Sequence, residues 1–172
     1  GEFRLKIPFG EIQALDAAAG RLTVTWPGGV ARFELGPAAE KWADRIRNPR
    51  TLIDKLGVKP DSEVAVLGVT DPDFRRRLRE RVGDFADGCI TGESDLIFFA
   101  ADSRDALRGL APYRASLKPA GGIWVIYPKG RTHITQEDVL AAGRGAGLKD
   151  VKVVSFSATH TGLKFVIPKA ER

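Results

Sequence analysis

Charged and polar side chains follow several segments that are predicted to be buried strands. Residues 70–73 (Thr-Asp-Pro-Asp), 102–104 (Asp-Ser-Arg) and 129–131 (Lys-Gly-Arg) each come directly after such a segment. Both histidines of the chain, His133 and His160, lie in later loops. Because the carboxyl ends of parallel strands meet at one edge of a sheet, we expect these side chains at a common edge, where open α/β sheets bind ligands.

These residues offer two kinds of chemistry. His133, His160 and Asp71 are the candidate catalytic residues, because imidazole and carboxylate groups transfer protons. The candidate binding residues are Gly68, Asp71, Asp73, Asp102, Ser103, Lys129 and Arg131. Lys129 and Arg131 are suited to an anion, and a helix beginning near Ser103 would add its positive end. The alternative is that polar loops fill this edge without binding anything. No metal-binding spacing is present, so no metal is expected.

The second part of the chain has the pattern of a parallel α/β sheet. Three continuous apolar runs are typical of strands buried on both faces: residues 64–67, 96–101 and 123–127. Helices are predicted between and after them: residues 73–82, a segment from Arg104, and a segment that starts at Thr135 and reaches about Ala142 or beyond. Residues 151–156 and 163–167 are predicted to form a closing antiparallel hairpin.

The first part of the chain predicts a small antiparallel meander followed by a helix. Strands are expected within residues 7–15, at 21–26 and at 30–35, and the helix runs from Pro37 to Asn48. This order resembles half of a pleckstrin-homology-like domain. We divide the chain into residues 1–49, a linker helix at 50–57, and an α/β domain at 58–172. The short first part is expected to pair with a second copy or with another protein.

Composition limits the classes of partner. The net charge is +5, from 27 basic and 22 acidic residues, and no basic tail is present. The arginine-rich helix at residues 73–81 is typical of a solvated face, so a nucleic-acid partner is not expected. No apolar run suits a membrane span, and a cytoplasmic protein is expected. Trp26, Trp42 and Trp124 are predicted to be packing residues. The single cysteine, Cys89, is predicted to be a small buried apolar side chain.

Residues 95–130 and 149–168 resemble the second half of a class I S-adenosylmethionine (SAM)-dependent methyltransferase. The segment LKPAGGIWVI (117–126) is similar to the entry into the fifth strand of that fold, and the closing hairpin matches its last two strands. The resemblance implies a Rossmann-like α/β fold with a mainly parallel sheet. From Leu52 onward the chain is also similar to a small family of uncharacterised bacterial proteins of unknown function.

The departures from the methyltransferase pattern suggest a degenerate cofactor site. The family follows its first strand with a glycine-rich loop, whereas VAVLGVTDPD (64–73) has Gly68 alone. Residues 83–94 leave no room for both the second and third strands. The acidic residue that holds the ribose in the family is not assigned among Asp84, Asp87 and Glu93.

Three functions are compatible with this pattern. The main hypothesis is a non-catalytic ligand-binding or interaction module without a cofactor. The alternative is an atypical SAM-dependent methyltransferase, or another enzyme that uses the His/Asp edge of the sheet. A weak nucleic-acid binder is the third.

Overall fold

The computed structural model describes residues 5–172 and divides the chain into two compact units. One unit reaches Thr51 and the other begins at Leu52. The first four residues of the predicted 1–49 part lie outside the described residues. That each part is an independent domain stays a prediction.

The first unit is an antiparallel meander with one helix. Its strands are β1 (Ala14–Ala18), β2 (Arg21–Trp26) and β3 (Gly29–Glu34), in that order, and the helix is α1 (Ala39–Arg47). Alternation along β2 buries Leu22 and Val24 against Ala39 and Ala43 of the helix. The predicted meander and helix are therefore confirmed.

Two details of the first unit differ from the prediction. Residues 7–13 are not a strand, and Phe9–Glu11 forms a short 3₁₀ turn, because Pro8 has no amide hydrogen to give to a ladder. Trp42 was predicted to be a packing residue but is 46% exposed, with the Arg45 guanidinium 5.8 Å from its ring centre. The small side chains Ala39 and Ala43 form the buried stripe of the helix instead.

The second unit contains a six-stranded, mostly parallel sheet. Its strands are β4 (Val64–Leu67), β5 (Ala86–Asp87), β6 (Ser94–Ala100), β7 (Leu117–Pro128), β8 (Lys149–Ser155) and β9 (His160–Val166). They lie in the order β5-β4-β6-β7-β9-β8, with β9 antiparallel to both of its neighbours. The Rossmann-like fold class with a closing antiparallel hairpin is confirmed.

Helices cover both faces of this sheet. One face carries α2 (Leu52–Leu56) and α3 (Pro72–Val82), whose Leu56, Phe74 and Leu78 pack in one core cluster with Trp124. The other face carries α4 (Leu110–Tyr113) and α5 (Gln136–Gly145). The indole nitrogen of Trp124 donates to the carbonyl oxygen of Leu56 at 3.0 Å, which ties α2 to the sheet.

Some predicted elements of the second unit are corrected. No α-helix begins near Ser103; a 3₁₀ turn at Ala106–Gly109 leads into the four-residue α4, which contains Pro112. Ser103 Oγ accepts from the amide of Ala106 at 3.3 Å, which stabilises this turn rather than a helix end. Cys89 is exposed, because it lies in the segment between β5 and β6 and not in the core. Within residues 5–172, no helix is both long and apolar enough to cross a bilayer.

Candidate functional site

A cavity of about 230 Å³ opens at the carboxyl edge of the second unit's sheet. The turn after β4 contributes Gly68 and Asp71, and the end of β6 leads to Asp102. The turn before β9 contributes Phe156 and Ser157, and β9 begins with His160. The topology therefore brings four of the predicted residues to one place: Gly68, Asp71, Asp102 and His160.

The base of the cavity is aromatic and well packed. Phe156 is buried and lies 5.0 Å, between ring centres, from Phe74 of α3. Phe74 in turn contacts Phe98 of β6, also at 5.0 Å. Rings that fix one another in this way hold the turn before β9 against the start of α3, so the shape of the cavity depends on the core.

The turn between β4 and α3 is shaped by Gly68 and Asp71. Gly68 has a φ of +73°, a left-handed conformation that favours glycine. Asp71 caps α3, because its Oδ1 accepts from the amide of Phe74 at 2.8 Å, and Pro72 occupies the first turn. One carboxylate oxygen of Asp71 is thus committed to the helix.

His160 is the candidate proton acceptor of the cavity. Its Nδ1 lies 2.9 Å from the Thr159 hydroxyl, and its backbone amide donates to Ser157 Oγ at 3.1 Å. In the tautomer in which Nδ1 donates to the Thr159 hydroxyl, Nε2 has a free lone pair and can accept a proton. His133 is exposed in the loop before α5 and does not line the cavity, so the two predicted histidines do not act at one point.

The remaining predicted residues are engaged elsewhere. Lys129 Nζ donates to Ser155 Oγ at 2.8 Å and to the carbonyl of Ser157 at 2.6 Å, and Arg131 is exposed beyond it. Asp73 pairs with two arginines of α3 at 2.7 and 2.8 Å, and hydrogen bonds from Arg76 and Arg77 lower its pKa. Among the described residues that line the cavity, two are aspartates and none is Lys or Arg. The lining therefore has an excess of acidic side chains and does not include Lys129 or Arg131; that these two residues bind an anion stays a prediction.

An ion pair that the sequence did not predict lies beside this turn. Asp87 ends β5, the two-residue strand that pairs in parallel with β4. Arg75 of α3 donates to both carboxylate oxygens of Asp87, one of them at 3.0 Å, and also donates to the Val69 carbonyl at 3.2 Å. Hydrogen bonding from Arg75 lowers the pKa of Asp87. A strand of two residues has no periodicity, so the sequence carries no signal that could have identified it.

The arginines of α3 are largely neutralised by local carboxylates. Arg76 pairs with Glu80 as well as Asp73, and Arg81 pairs with Asp54 at 2.8 Å. Arg79 lies over the ring of Phe85, 5.1 Å from its centre. Within the described part of the chain, no group of three or more His, Cys, Asp or Glu side chains is placed to hold a metal ion.

The chain resembles solved methyltransferase structures in fold. No protein-family model and no curated protein matches it. A SAM-dependent methyltransferase from Aquifex aeolicus has a TM-score of 0.55 and 16% identity, over 73% of this chain and 93% of that one. The pyocyanin biosynthetic protein PhzM has a TM-score of 0.54 and 11% identity, over 77% of this chain.

The match spans 59% of the length of PhzM. A third structure, the SAH-bound form of CalO1, a methyltransferase in calicheamicin biosynthesis, has a TM-score of 0.50 and 15% identity, over 68% of this chain and 52% of that one. These likenesses show a methyltransferase-like fold.

Proposed function

We propose that this chain is an atypical SAM-dependent methyltransferase whose cofactor binds at the cavity beside Gly68. The observation that carries the proposal is an acidic cavity at the carboxyl edge of a methyltransferase-like sheet. Binding at this edge is the rule for open α/β sheets. The main hypothesis from the sequence, a non-catalytic module, has less support than this alternative.

The charge of the cavity fits SAM. The cofactor carries a sulfonium, an ammonium and one carboxylate, so its net charge is positive, and it has no phosphate; aspartates therefore attract its cationic groups. Among the described residues, the lining has Asp71 and Asp102 and no Lys or Arg, and Lys129, which is not part of the lining, donates to Ser155 Oγ and to the carbonyl of Ser157. A dinucleotide would bring its negatively charged pyrophosphate against these like-charged carboxylates, which is unfavourable. SAM is therefore favoured over phosphate-bearing cofactors.

The shape of the cavity fits part of the cofactor. Gly68 has no side chain, so a ligand can approach the main chain of the turn closely. The volume of about 230 Å³ is smaller than the roughly 300–1,000 Å³ of typical small-molecule sites. The cavity would enclose one end of SAM and leave the other end at its open rim.

The residues of the cavity would have separate roles in methyl transfer. Bound SAM supplies an electrophilic methyl group. Asp71 and Asp102 would hold its positive charge, and the aromatic base beneath Phe156 would exclude water from one side. His160 Nε2 would accept the proton that a hydroxyl or amine substrate loses when its oxygen or nitrogen bonds to the methyl carbon.

Calorimetric titration with SAM and with its demethylated product, S-adenosylhomocysteine (SAH), tests the proposal. We expect saturable binding of both, with SAM binding more tightly, because the product has lost the sulfonium charge that the aspartates attract. Absence of saturable heat with SAM, from protein whose fold is verified by circular dichroism, would overturn it.

A binding module without catalysis is the second candidate function, and the Arg75–Asp87 pair favours it. In the family that the sequence resembles, an acidic residue near the end of the second strand holds the ribose, whereas Asp87 is occupied by Arg75. Incubation with labelled SAM and a panel of hydroxyl, amine and thiol acceptors separates the two functions. Transfer of label that depends on His160 supports the enzyme, and binding without any transfer supports the module.

A further inference from the structure

We propose that the free edge of β3 pairs with β3 of a second copy of this chain, so that two meanders form one continuous antiparallel sheet. The two copies would be related by a twofold axis through Phe33. This proposal concerns the first unit and does not depend on the function proposed for the second.

β3 has an open edge and exposed apolar side chains. It pairs with β2 on one side only, and within the described residues no other strand pairs with it. Val30 is 55% exposed and Phe33 is 39% exposed. Unprotected edges of this kind are sites at which another strand can add.

The hydrogen-bond pattern shows which main-chain groups of β3 are available. Leu35 donates its amide to the Gly20 carbonyl, and Trp26 and Gly29 flank the two-residue turn between β2 and β3. Because antiparallel ladders alternate, Ala31 and Phe33 direct their amide and carbonyl groups toward β2. Val30, Arg32 and Glu34 therefore direct theirs to the open edge.

The sequence of β3 is complementary to itself in one register. With the twofold axis through Phe33, Arg32 of each copy lies opposite Glu34 of the other, and these are residues with outward main-chain groups. Glu34 Oε1 also accepts from Arg21 of its own β2 at 2.5 Å, so the partner's Arg32 would join an existing ion pair. With the axis through Arg32, two like charges would face each other, and with the axis through Ala31, Arg32 would face Val30. Opposite charges across a strand pair stabilise it and like charges destabilise it. Charge complementarity thus selects a second copy and one register.

The helix-bearing face leaves space for this arrangement. Phe33 lies opposite Leu22 on the face that α1 covers, but the helix packs chiefly against β1 and β2, and Phe33 stays 39% exposed. In the proposed register the two Phe33 rings meet at the axis, in a pair without hydrogen bonds, where side chains come closest. Burial of these rings would add an apolar contact to the main-chain hydrogen bonds.

Charge-reversal variants of the full chain test the proposal by sedimentation. We expect the native chain to dimerise with increasing concentration, and Arg32→Glu and Glu34→Arg each to be monomeric. An equimolar mixture of the two variants should form a heterodimer, because each supplies the charges that the other lacks. Asp16→Lys, on β1 at the opposite edge of the sheet, is the control and should dimerise as the native chain does. A native chain that stays monomeric at all concentrations, a mixture that stays monomeric, or dissociation of the Asp16→Lys control would overturn the proposal.

Disulfide cross-linking tests the register. In a Cys89→Ser background, Phe33→Cys should form a covalent dimer under mild oxidation, since the two side chains would be about 4.5–5.5 Å apart at Cβ. Val30→Cys, at a more exposed position of the same strand that would oppose Gly36 of the partner, should not. Equal cross-linking of the two variants would contradict the register.

Discussion

Arg75 holds the carboxylate of Asp87 through hydrogen bonds to both of its oxygens, and the same guanidinium donates to the carbonyl of Val69. The pair joins α3 to the last residue of β5 beside the turn that lines the cavity. It therefore links the short β5 strand to α3. Two measurable consequences concern stability.

The Arg75–Asp87 pair should make the free energy of unfolding depend on pH in the acid range. Hydrogen bonding lowers the pKa of Asp87 from its ordinary value of 3.8 in the folded chain. The pair's contribution is therefore fully present above about pH 3.8 and is lost as the pH falls through the lower, folded-state value. We expect Asp87→Asn to reduce the free energy of unfolding at neutral pH and to flatten its decline below pH 3.8, measured by urea denaturation.

A double-variant comparison isolates this effect. Arg75→Gln should flatten the same part of the pH profile, because it removes the other partner of the pair. The variant with both substitutions should then lose little more than Arg75→Gln alone, which also removes the hydrogen bond to Val69, because the effects of residues in contact are not additive. Strictly additive losses would show that the two side chains act separately.

Gly68 should matter for both stability and ligand binding. Gly68→Ala would place an L-residue at a φ of +73°, at a cost of about 1–2 kcal/mol. Its Cβ would lie 3.5 Å from that of Ala100, which is ordinary contact, so the backbone strain should dominate. We expect lower thermal stability and at least about tenfold weaker SAM binding, which is a loss of about 1.4 kcal/mol.

Gly57 provides the matched control for this variant. It has a φ of +79°, and nothing lies within 4 Å of the position that a Cβ would take. Gly57→Ala should therefore lower stability by a similar amount without changing SAM affinity. Equal affinities for the two variants would argue that the ligand does not approach the turn after β4.

Asp102 should contribute to the preference for a cationic ligand. Asp102→Asn keeps the size of the side chain and removes its charge, so we expect weaker SAM binding and little change in SAH binding, measured by calorimetry. Asp105→Asn, in the same loop and paired with Arg108, is the control that should leave both affinities unchanged. A parallel loss of SAM and SAH affinity in Asp102→Asn would mean that this carboxylate does not recognise the sulfonium.

Of the tryptophans, Trp124 should be the one whose substitution lowers the free energy of unfolding most. It is fully buried, and its indole N–H bonds the Leu56 carbonyl. Trp124→Phe would leave that buried carbonyl without its donor, at about 1–3 kcal/mol, and would also leave a small void. Trp42→Phe, at an exposed position, should change the free energy of unfolding by no more than about 0.5 kcal/mol. Similar losses in the two variants would contradict the assigned packing.

The fold could be predicted from the sequence because its buried strands are continuous apolar runs. Val64–Leu67 is buried at every position, and the helix predicted to start at Thr135 is capped by that residue, with Asp138 completing a capping box. The prediction of a helix from Arg104 was wrong, because the segment forms a 3₁₀ turn that the Ser103 hydroxyl stabilises. Such local competition between side chain and backbone is not visible in a periodic pattern.

The candidate site was predicted in part, for a topological reason. Gly68, Asp71, Asp102 and His160 follow or begin strands, so the order of the sheet brings them together. The sequence suggested a degenerate cofactor site because Gly68 is the single glycine after the strand; in the structure Gly68 has a positive φ and lines an open cavity. The places of Lys129, His133 and Asp87 depend on tertiary contacts and could not be read from spacing.

A crystal structure of the full chain grown with saturating SAM tests the central claim most directly. The account predicts density for the adenosyl group beside Gly68, with the sulfonium nearest the carboxylates of Asp71 and Asp102. Density for the cofactor at another place on the chain, or a cavity that remains without it while calorimetry shows binding, would contradict the account.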